Sequence, residues 1–174
     1  GMGRVTVVAV SDGACMEGEA KEAFAAIPGL AKKGELGPYI LIVSDNNTKL
    51  SGRIDEQSFS MEPSFNSFET LGWKRIYLEN GHDMSACMMA FEEAMEWSQE
   101  NPKQPVVIHA KTIKGYGVKA TEESASGGHG FPIKHPKDLS DFISEIYSGG
   151  IVPSEFLDWA NELVEKKDAQ TRPP

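Results

Sequence analysis

Cysteine is almost absent from this chain of 174 residues. There are two, Cys15 and Cys87, far apart and without the close spacing of a metal knuckle. A disulfide framework is thereby excluded, and two small thiols of this kind suit a reducing, cytoplasmic setting. Basic charge is also in deficit: 17 Lys and Arg stand against 26 Asp and Glu, a net charge of −9. That balance argues against nucleic acid or an anionic membrane surface as a partner. No apolar run approaches the ~18 residues of a membrane span. The run from Val5 to Val10 is shorter than the roughly 7–15 residues of a signal-peptide core. Internal repeats and low-complexity segments are missing too.

What is present is the composition of a soluble globular protein, 40% apolar and 25% charged. At this length one domain is expected, spanning residues 2–168, followed by a frayed tail at 169–174. Arg4 to Val10 is nearly continuously apolar and β-branched, which predicts a strand buried on both faces of a parallel sheet. Glu17 to Ile27 is rich in Ala, Glu and Lys and predicts a helix, ended or interrupted by Pro28-Gly29. Tyr39 to Val43 is a second short apolar run. Strand, helix and strand make a right-handed βαβ unit. Further strands are expected at Trp73 to Leu78 and Pro105 to Ala110, with a short helix near Phe65 to Leu71. Met84 to Glu100 predicts the clearest helix, with Asp83 as its N-cap. Met84, Met88, Phe91 and Met95 recur at helical spacing, so this stripe is expected to face the core. Two acidic amphipathic helices are expected over about 136–147 and 153–166. The fold class is therefore α/β, a three-layer αβα arrangement with a mainly parallel sheet.

Two strand ends carry chemistry. The first apolar strand runs into Asp12-Gly13 and the second into Asp45-Asn46-Asn47. An open parallel sheet builds its ligand crevice at the carboxyl ends of its strands. A carboxylate and an amide beside glycine suit a Mg²⁺ ion held next to phosphate. Each motif alone is usually just a turn, because Asp and Asn bond their own backbone and Gly supplies positive φ. Together, one helix apart, they are more informative.

Asp12-Gly13, a helix, an apolar strand and Asp45-Asn46 resemble the thiamine-diphosphate signature, G-D-G followed after a spacer by N-N, with Ser11 in place of the first glycine. Four further stretches resemble the transketolase family in the same order. They are Cys15-Met16-Glu17-Gly18; Leu71-Gly72-Trp73 with Gly81-His82-Asp83; Lys111 to Gly117, matching K-T-x-K-G-x-G; and Gly128-His129-Gly130. The resemblance runs from about residue 5 to 135.

It implies the diphosphate-binding module of a transferase that moves a two-carbon ketol unit between sugar phosphates. Asp12, Asn46 and the carbonyl of Thr48 would hold Mg²⁺ (or Ca²⁺). Gly13 would let the backbone approach the diphosphate of thiamine diphosphate. Lys114 matches a lysine that faces the cofactor. His129 matches a histidine reaching both diphosphate and substrate, and carries the catalytic expectation. Asn47 is not a ligand on this pattern. Glu17 matches an interface carboxylate, although a first-turn helix acid explains it equally well. His82 is expected to act in a turn, and His109 and His135 carry no functional expectation. Family segments upstream of the first strand, and the pyrimidine-binding domain whose glutamate activates the cofactor, have no counterpart here. The chain is therefore expected to be inactive until a pyrimidine-binding subunit or domain (the C-terminal section of such enzymes) completes it, in a homo- or hetero-oligomer. The alternatives are a module of a deoxyxylulose-phosphate synthase-like enzyme and a non-catalytic truncated remnant.

Overall fold

Tyr39–Asp45 (β2) has neighbours on both sides, and the rest of the sheet is arranged about it. The computed structural model describes residues 4–126, 128–129, 138–148 and 150–170. The chain divides into two compact units, Gly1–Ile113 and Lys114–Pro174. In the first unit, β1 (Thr6–Ser11), β2, β5 (Lys74–Leu78) and β6 (Val106–Lys111) form one parallel sheet in the order β1-β2-β6-β5. The register aligns Ser11 with Ser44, Asp45 with Lys111, and Tyr77 with His109. All four strands point the same way, so their carboxyl ends share one edge. A short antiparallel ribbon, β3 (Thr48–Lys49) with β4 (Gly52–Arg53), follows β2 directly.

Because side chains alternate along a strand, β2 feeds two cores. Leu41 and Val43 join Phe24, Phe65, Phe68 and Trp73 on one face. Ile40 joins Ile76, Val106, Ile108, Ala90 and Ala94 on the other. The first face is covered by α1 (Gly18–Lys33) with the short helices α2 (Ile54–Gln57), α3 (Glu62–Asn66) and α4 (Phe68–Leu71). The second is covered by α5 (Met84–Glu100). Helices on both faces of a parallel sheet make the three-layer α/β class expected from the sequence.

Three local expectations need correction. The strand β1 is not buried on both faces: it lies at the sheet edge, Val8 and Val10 pack on the first core, and Val7 is exposed. Pro28 does not end α1, which continues to Lys33 and closes on Gly34 in the left-handed region. Proline has no N–H to return to the carbonyl of Phe24 one turn back, and the indole Nε1 of Trp73 donates to that carbonyl instead, at 2.8 Å. Most of the apolar stripe of α5 faces outward, Met84 being 76% and Met88 55% exposed and Phe91 exposed as well, and only Met95 packs against the second core. The sheet side is made by Ala90, Ala94 and Ser98, whose small side chains let the helix lie close to β5 and β6. Asp83 caps α5 as expected, its Oδ1 accepting from the N–H of Ala86 at 3.0 Å.

The second unit contains α6 (Lys119–Glu122), α7 (Leu139–Ile146) and α8 (Ser154–Gln170). Tyr147 packs obliquely on Phe156, their ring centroids 6.3 Å apart. Of the expected frayed tail at 169–174, Ala169 and Gln170 instead continue α8, and 171–174, like 136–137 of the first expected acidic helix, lie outside the described residues.

Candidate functional site

The end of β1 and the end of β2 meet through one carboxylate. Asp12 is fully buried. Its Oδ1 accepts from the N–H of Gly13 and its Oδ2 from the N–H of Asn46, both at 2.8 Å. Burial pushes the Asp12 carboxyl above its ordinary value, and the Asp45 charge adds to this; the N–H groups of Gly13, Asn46 and Asn47 oppose it without cancelling it. Such a carboxylate is short of positive charge.

Around it stand other oxygen atoms. The side-chain oxygen of Asn46, Oδ1, is buried and has no hydrogen-bond partner. An unpartnered buried amide oxygen costs free energy on the order of 1–3 kcal/mol, a cost that a bound cation would relieve. Between Asn46 and Thr48, Asn47 adopts a left-handed conformation, φ 54°. Its side chain is taken up by Asp55, donating from Nδ2 at 2.7 Å and accepting the Asp55 N–H at 3.1 Å. Asn47 thus braces the loop. Thr48 is buried, and its hydroxyl accepts from Arg53 and donates to the carbonyl of Asn46. A Cβ built on Gly13 would point at the carbonyl oxygen of Thr48, 3.6 Å away. Glycine therefore leaves open the space between the β1 turn and that carbonyl.

The structure brings Asp12, Gly13, Asn46 and Thr48 together. Their donors are a carboxylate, an amide oxygen and a main-chain carbonyl, the hard oxygen set that Mg²⁺ and Ca²⁺ accept. Among the described residues no cluster of three or more His, Cys, Asp or Glu side chains could hold a metal. This set, with one acid, one amide and one backbone group, is of a different kind. Beneath it Cys15 is buried, and burial, with the charges of Asp12 and Asp45, pushes its thiol up to about 12. It is a packing residue rather than a nucleophile.

Lys114 and His129 belong to the second unit. Lys114 is half-buried in the loop where Gly115 and Gly117 take positive φ. His129 is exposed in a turn, its N–H donating to the carbonyl of Ser126 at 3.1 Å. The flanking Gly127 and Gly130 of its motif lie outside the described residues.

Beside the Asp12 site a cleft of about 290 Å³ opens, lined by Asp12, Asp45, Asn47, Arg75, Tyr77, His109 and Lys111 among others. Asp45 is buried there and accepts at Oδ2 from His109 Nε2 (2.7 Å) and Lys111 Nζ (2.8 Å). Burial alone would raise its carboxyl; the two donors outweigh burial and hold it below its ordinary value. His109 and Arg75 carried no functional expectation from the sequence. The signal that could have found them is alternation: His109 and Lys111 are two apart on one strand and so share a face.

His82, Gly81 and Asp83 also acquire distinct roles. His82 Nε2 accepts the N–H of Ile113 at 2.7 Å, and the N–H of Gly81 donates to the carbonyl of Lys111 at the same distance. A Cβ at Gly81 would come within 2.9 Å of that carbonyl, so only glycine fits there unless the strand end moves.

A parallel sheet with a polar crevice at its carboxyl edge defines the class of open α/β cofactor-binding domains. Residues 2–168 match the family described as "Transketolase, thiamine diphosphate binding domain", and the chain belongs to that family. It is 33% identical over 168 residues to the transketolase of Bacillus subtilis, covering 91% of this chain and 23% of that protein. To the Staphylococcus epidermidis transketolase it is 34% identical over 128 residues, 74% of this chain and 18% of the relative. A 1-deoxy-D-xylulose-5-phosphate synthase of Helicobacter pylori is 37% identical over 116 residues, 65% of this chain and 17% of the relative. The chain thus spans about a quarter or less of the length of these relatives. Among solved structures, a Pichia stipitis transketolase mutant complexed with xylulose 5-phosphate superposes with a TM-score of 0.63 at 24% identity, over 95% of this chain and 23% of that one. The transketolase of Leishmania mexicana superposes at 0.61 and 22% identity, with the same coverage of this chain and 24% of its own. At these identities the likeness bears on the fold.

Proposed function

We propose that this chain anchors the diphosphate end of thiamine diphosphate through a divalent cation, Mg²⁺ or Ca²⁺. In this reading it is the diphosphate-binding module of a transketolase-like enzyme. The single observation that carries the reading is the buried, unpartnered Oδ1 of Asn46 beside the cation-poor carboxylate of Asp12. Asp12, Asn46 and the Thr48 carbonyl hold the ion, and Gly13 leaves room for the phosphate. Thiamine diphosphate, when bound, supplies the nucleophilic carbon that carries a two-carbon ketol unit between sugar phosphates. The protein supplies charge and orientation. Lys114 and His129 keep the roles implied by family resemblance, His129 at the reacting end and Lys114 toward the cofactor. A pyrimidine-binding domain or subunit completes the site within a cytoplasmic homo- or hetero-oligomer, and the chain alone does not turn over.

The test is thermal unfolding of the chain with Mg²⁺ and thiamine diphosphate, separately and together. At a ligand concentration about 100 times Kd the stabilisation is about 2.7 kcal/mol. A shift requiring both components is expected. No shift under any combination would sink the reading and leave a non-catalytic remnant. The similarity to the synthase involves this same module, so the chain carries no choice between the two sugar chemistries.

A further inference from the structure

We propose that the linked side chains Arg75, His109, Asp45 and Lys111 are a positioning device for the ion site, fixing the end of β2 so that Asn46 meets Asp12. The inference rests on the function proposed above for Asp12, Asn46 and Thr48, and it concerns residues that hold no ligand themselves.

The arrangement follows from strand register. Asp45 pairs with Lys111, and Tyr77 with His109. Asp45, His109 with Lys111, and Arg75 with Tyr77 therefore come from three neighbouring strands and line one cleft at the carboxyl edge. The guanidinium of Arg75 can only donate. Its Nη2 lies 2.7 Å from His109 Nδ1, so that ring nitrogen is the acceptor. The imidazole proton then sits on Nε2, which donates to Asp45 Oδ2 at 2.7 Å. The ring is held between Phe65 and Tyr77, with centroid distances of 4.7 and 5.3 Å. Arg75 is braced in turn by the Asn66 side-chain oxygen at 3.0 Å.

The end of β2 is thus held from both sides. Lys111 Nζ donates to Asp45 Oδ2, the Thr112 N–H to the Asp45 carbonyl at 2.9 Å, and the Ser44 and Thr112 hydroxyls bond at 2.8 Å. From the other side the Asp12 N–H donates to the Ser44 carbonyl at 3.1 Å. The next residue is Asn46, whose N–H reaches Asp12 and whose Oδ1 is the unpartnered oxygen. Freed from this grip, Asp45 would be a loose carboxylate one peptide from the ligand, able to tilt Asn46 or compete for the cation. Groups that orient ligands in this way typically change metal affinity 10–100-fold when removed.

The test uses the full chain, with Mn²⁺ and thiamine diphosphate as probes and electron paramagnetic resonance to read free Mn²⁺. Amide hydrogen exchange at Asn46 and Val43 is measured without ligand. His109→Ala is expected to weaken Mn²⁺ binding about 10–100-fold. It is also expected to speed exchange at Asn46 while Val43, within the β1–β2–β6 core, stays protected. His109→Gln, which keeps a donor toward Asp45, should recover most of both losses. Unchanged affinity and unchanged Asn46 exchange in a folded His109→Ala chain would overturn the proposal. So would a loss in which Asn46 and Val43 open together, the mark of a purely structural role. If His109→Ala does not fold, Lys111→Met decides, because that side chain is 48% exposed. Several-fold weaker binding supports the proposal and wild-type binding refutes it. A wild-type chain that binds no Mn²⁺ defeats the functional reading, and the ligand-free exchange at Asn46 still decides the positioning role.

Discussion

Trp73 donates its indole N–H to the main-chain carbonyl of Phe24, 2.8 Å away and wholly buried. Phe24 lies four residues before Pro28, so its carbonyl is the acceptor that proline cannot serve. One side chain from the β5 side therefore repairs the backbone of α1 and lets a single helix run from Gly18 to Lys33. Trp73→Phe should destabilise the chain by on the order of 1–3 kcal/mol, the cost of a buried carbonyl left without a donor. In a Pro28→Ala background the helix regains its own N–H, and the same substitution should cost clearly less. The coupling is read from a double-mutant cycle by urea denaturation. Equal costs in both backgrounds would show that the indole does not substitute for the missing helical bond.

Asn46→Ala separates stability from ligand binding. The substitution removes a buried oxygen that has no partner, and it leaves the Asn46 N–H bonded to Asp12. Stability without ligand should stay within about 0.5 kcal/mol of wild type or rise. The stabilisation by Mg²⁺ with thiamine diphosphate should disappear. Paired thermal scans with and without the two ligands check this; a retained ligand shift would remove Asn46 from the ion site.

Opposite pH dependences should come from the two neighbouring aspartates when metal is chelated away. Burial holds Asp12 above the ordinary 3.8. The folded chain therefore takes up a proton more readily there than the unfolded one, and stability falls as pH rises from that value through the raised one. For Asp45, burial is outweighed by the His109 and Lys111 bonds and the carboxyl is lowered from 3.8. Its stabilisation is present above 3.8 and is lost as pH falls through the lowered value. Asp45→Asn should accordingly be most destabilising at neutral pH, and its deficit should shrink in acid. The deficit of Asp12→Asn should shrink as pH rises. Urea midpoints between about pH 3 and 7 give both slopes. With Mg²⁺ present the Asp12 trend should reverse, since the ion requires the carboxylate.

The cysteines should differ in reactivity. Cys15 is buried with its thiol pushed up to about 12, whereas Cys87 is only half-buried. Iodoacetamide at mildly alkaline pH should modify Cys87 in the native chain and both residues in denaturant. Mass spectrometry of labelled peptides reads the outcome. Rapid native labelling of Cys15 would contradict its burial beneath Asp12.

Asp12 and the Asp45-Asn46-Asn47 turn were legible in the sequence because each follows an apolar run, and one βαβ unit delivers both to one edge; Thr48 was reached only through the family resemblance. The parallel sheet was legible from its apolar runs, and the cap at Asp83 from its chemistry. Other features depend on pairing between distant segments. Nothing local marks His109 as a partner of Asp45 until β6 lies beside β2 in a particular register. Periodicity identified a stripe on α5 but could not say which stripe meets the sheet; Ala90 and Ala94 win because they allow close approach. Pro28 is read locally as a helix stop, and only Trp73, 49 residues away from Phe24, makes continuation possible. The apolar run of β1 looked doubly buried because an edge strand and a central strand carry similar side chains when only one neighbour is known.

The separation of these contacts along the chain has a kinetic side. Asp12 and Asn46 are joined across 34 residues, His109 and Asp45 across 64. Closing the longer loop costs only about 0.6 kcal/mol more per doubling, but it waits for α5 and β6 to dock. The β1–α1–β2 unit can bring the three proposed ion ligands together first, with the clamp on Asp45 closing afterwards. In a refolding experiment the oxygen cage would then form as a loose early element and gain rigidity only when the last strand enters the sheet.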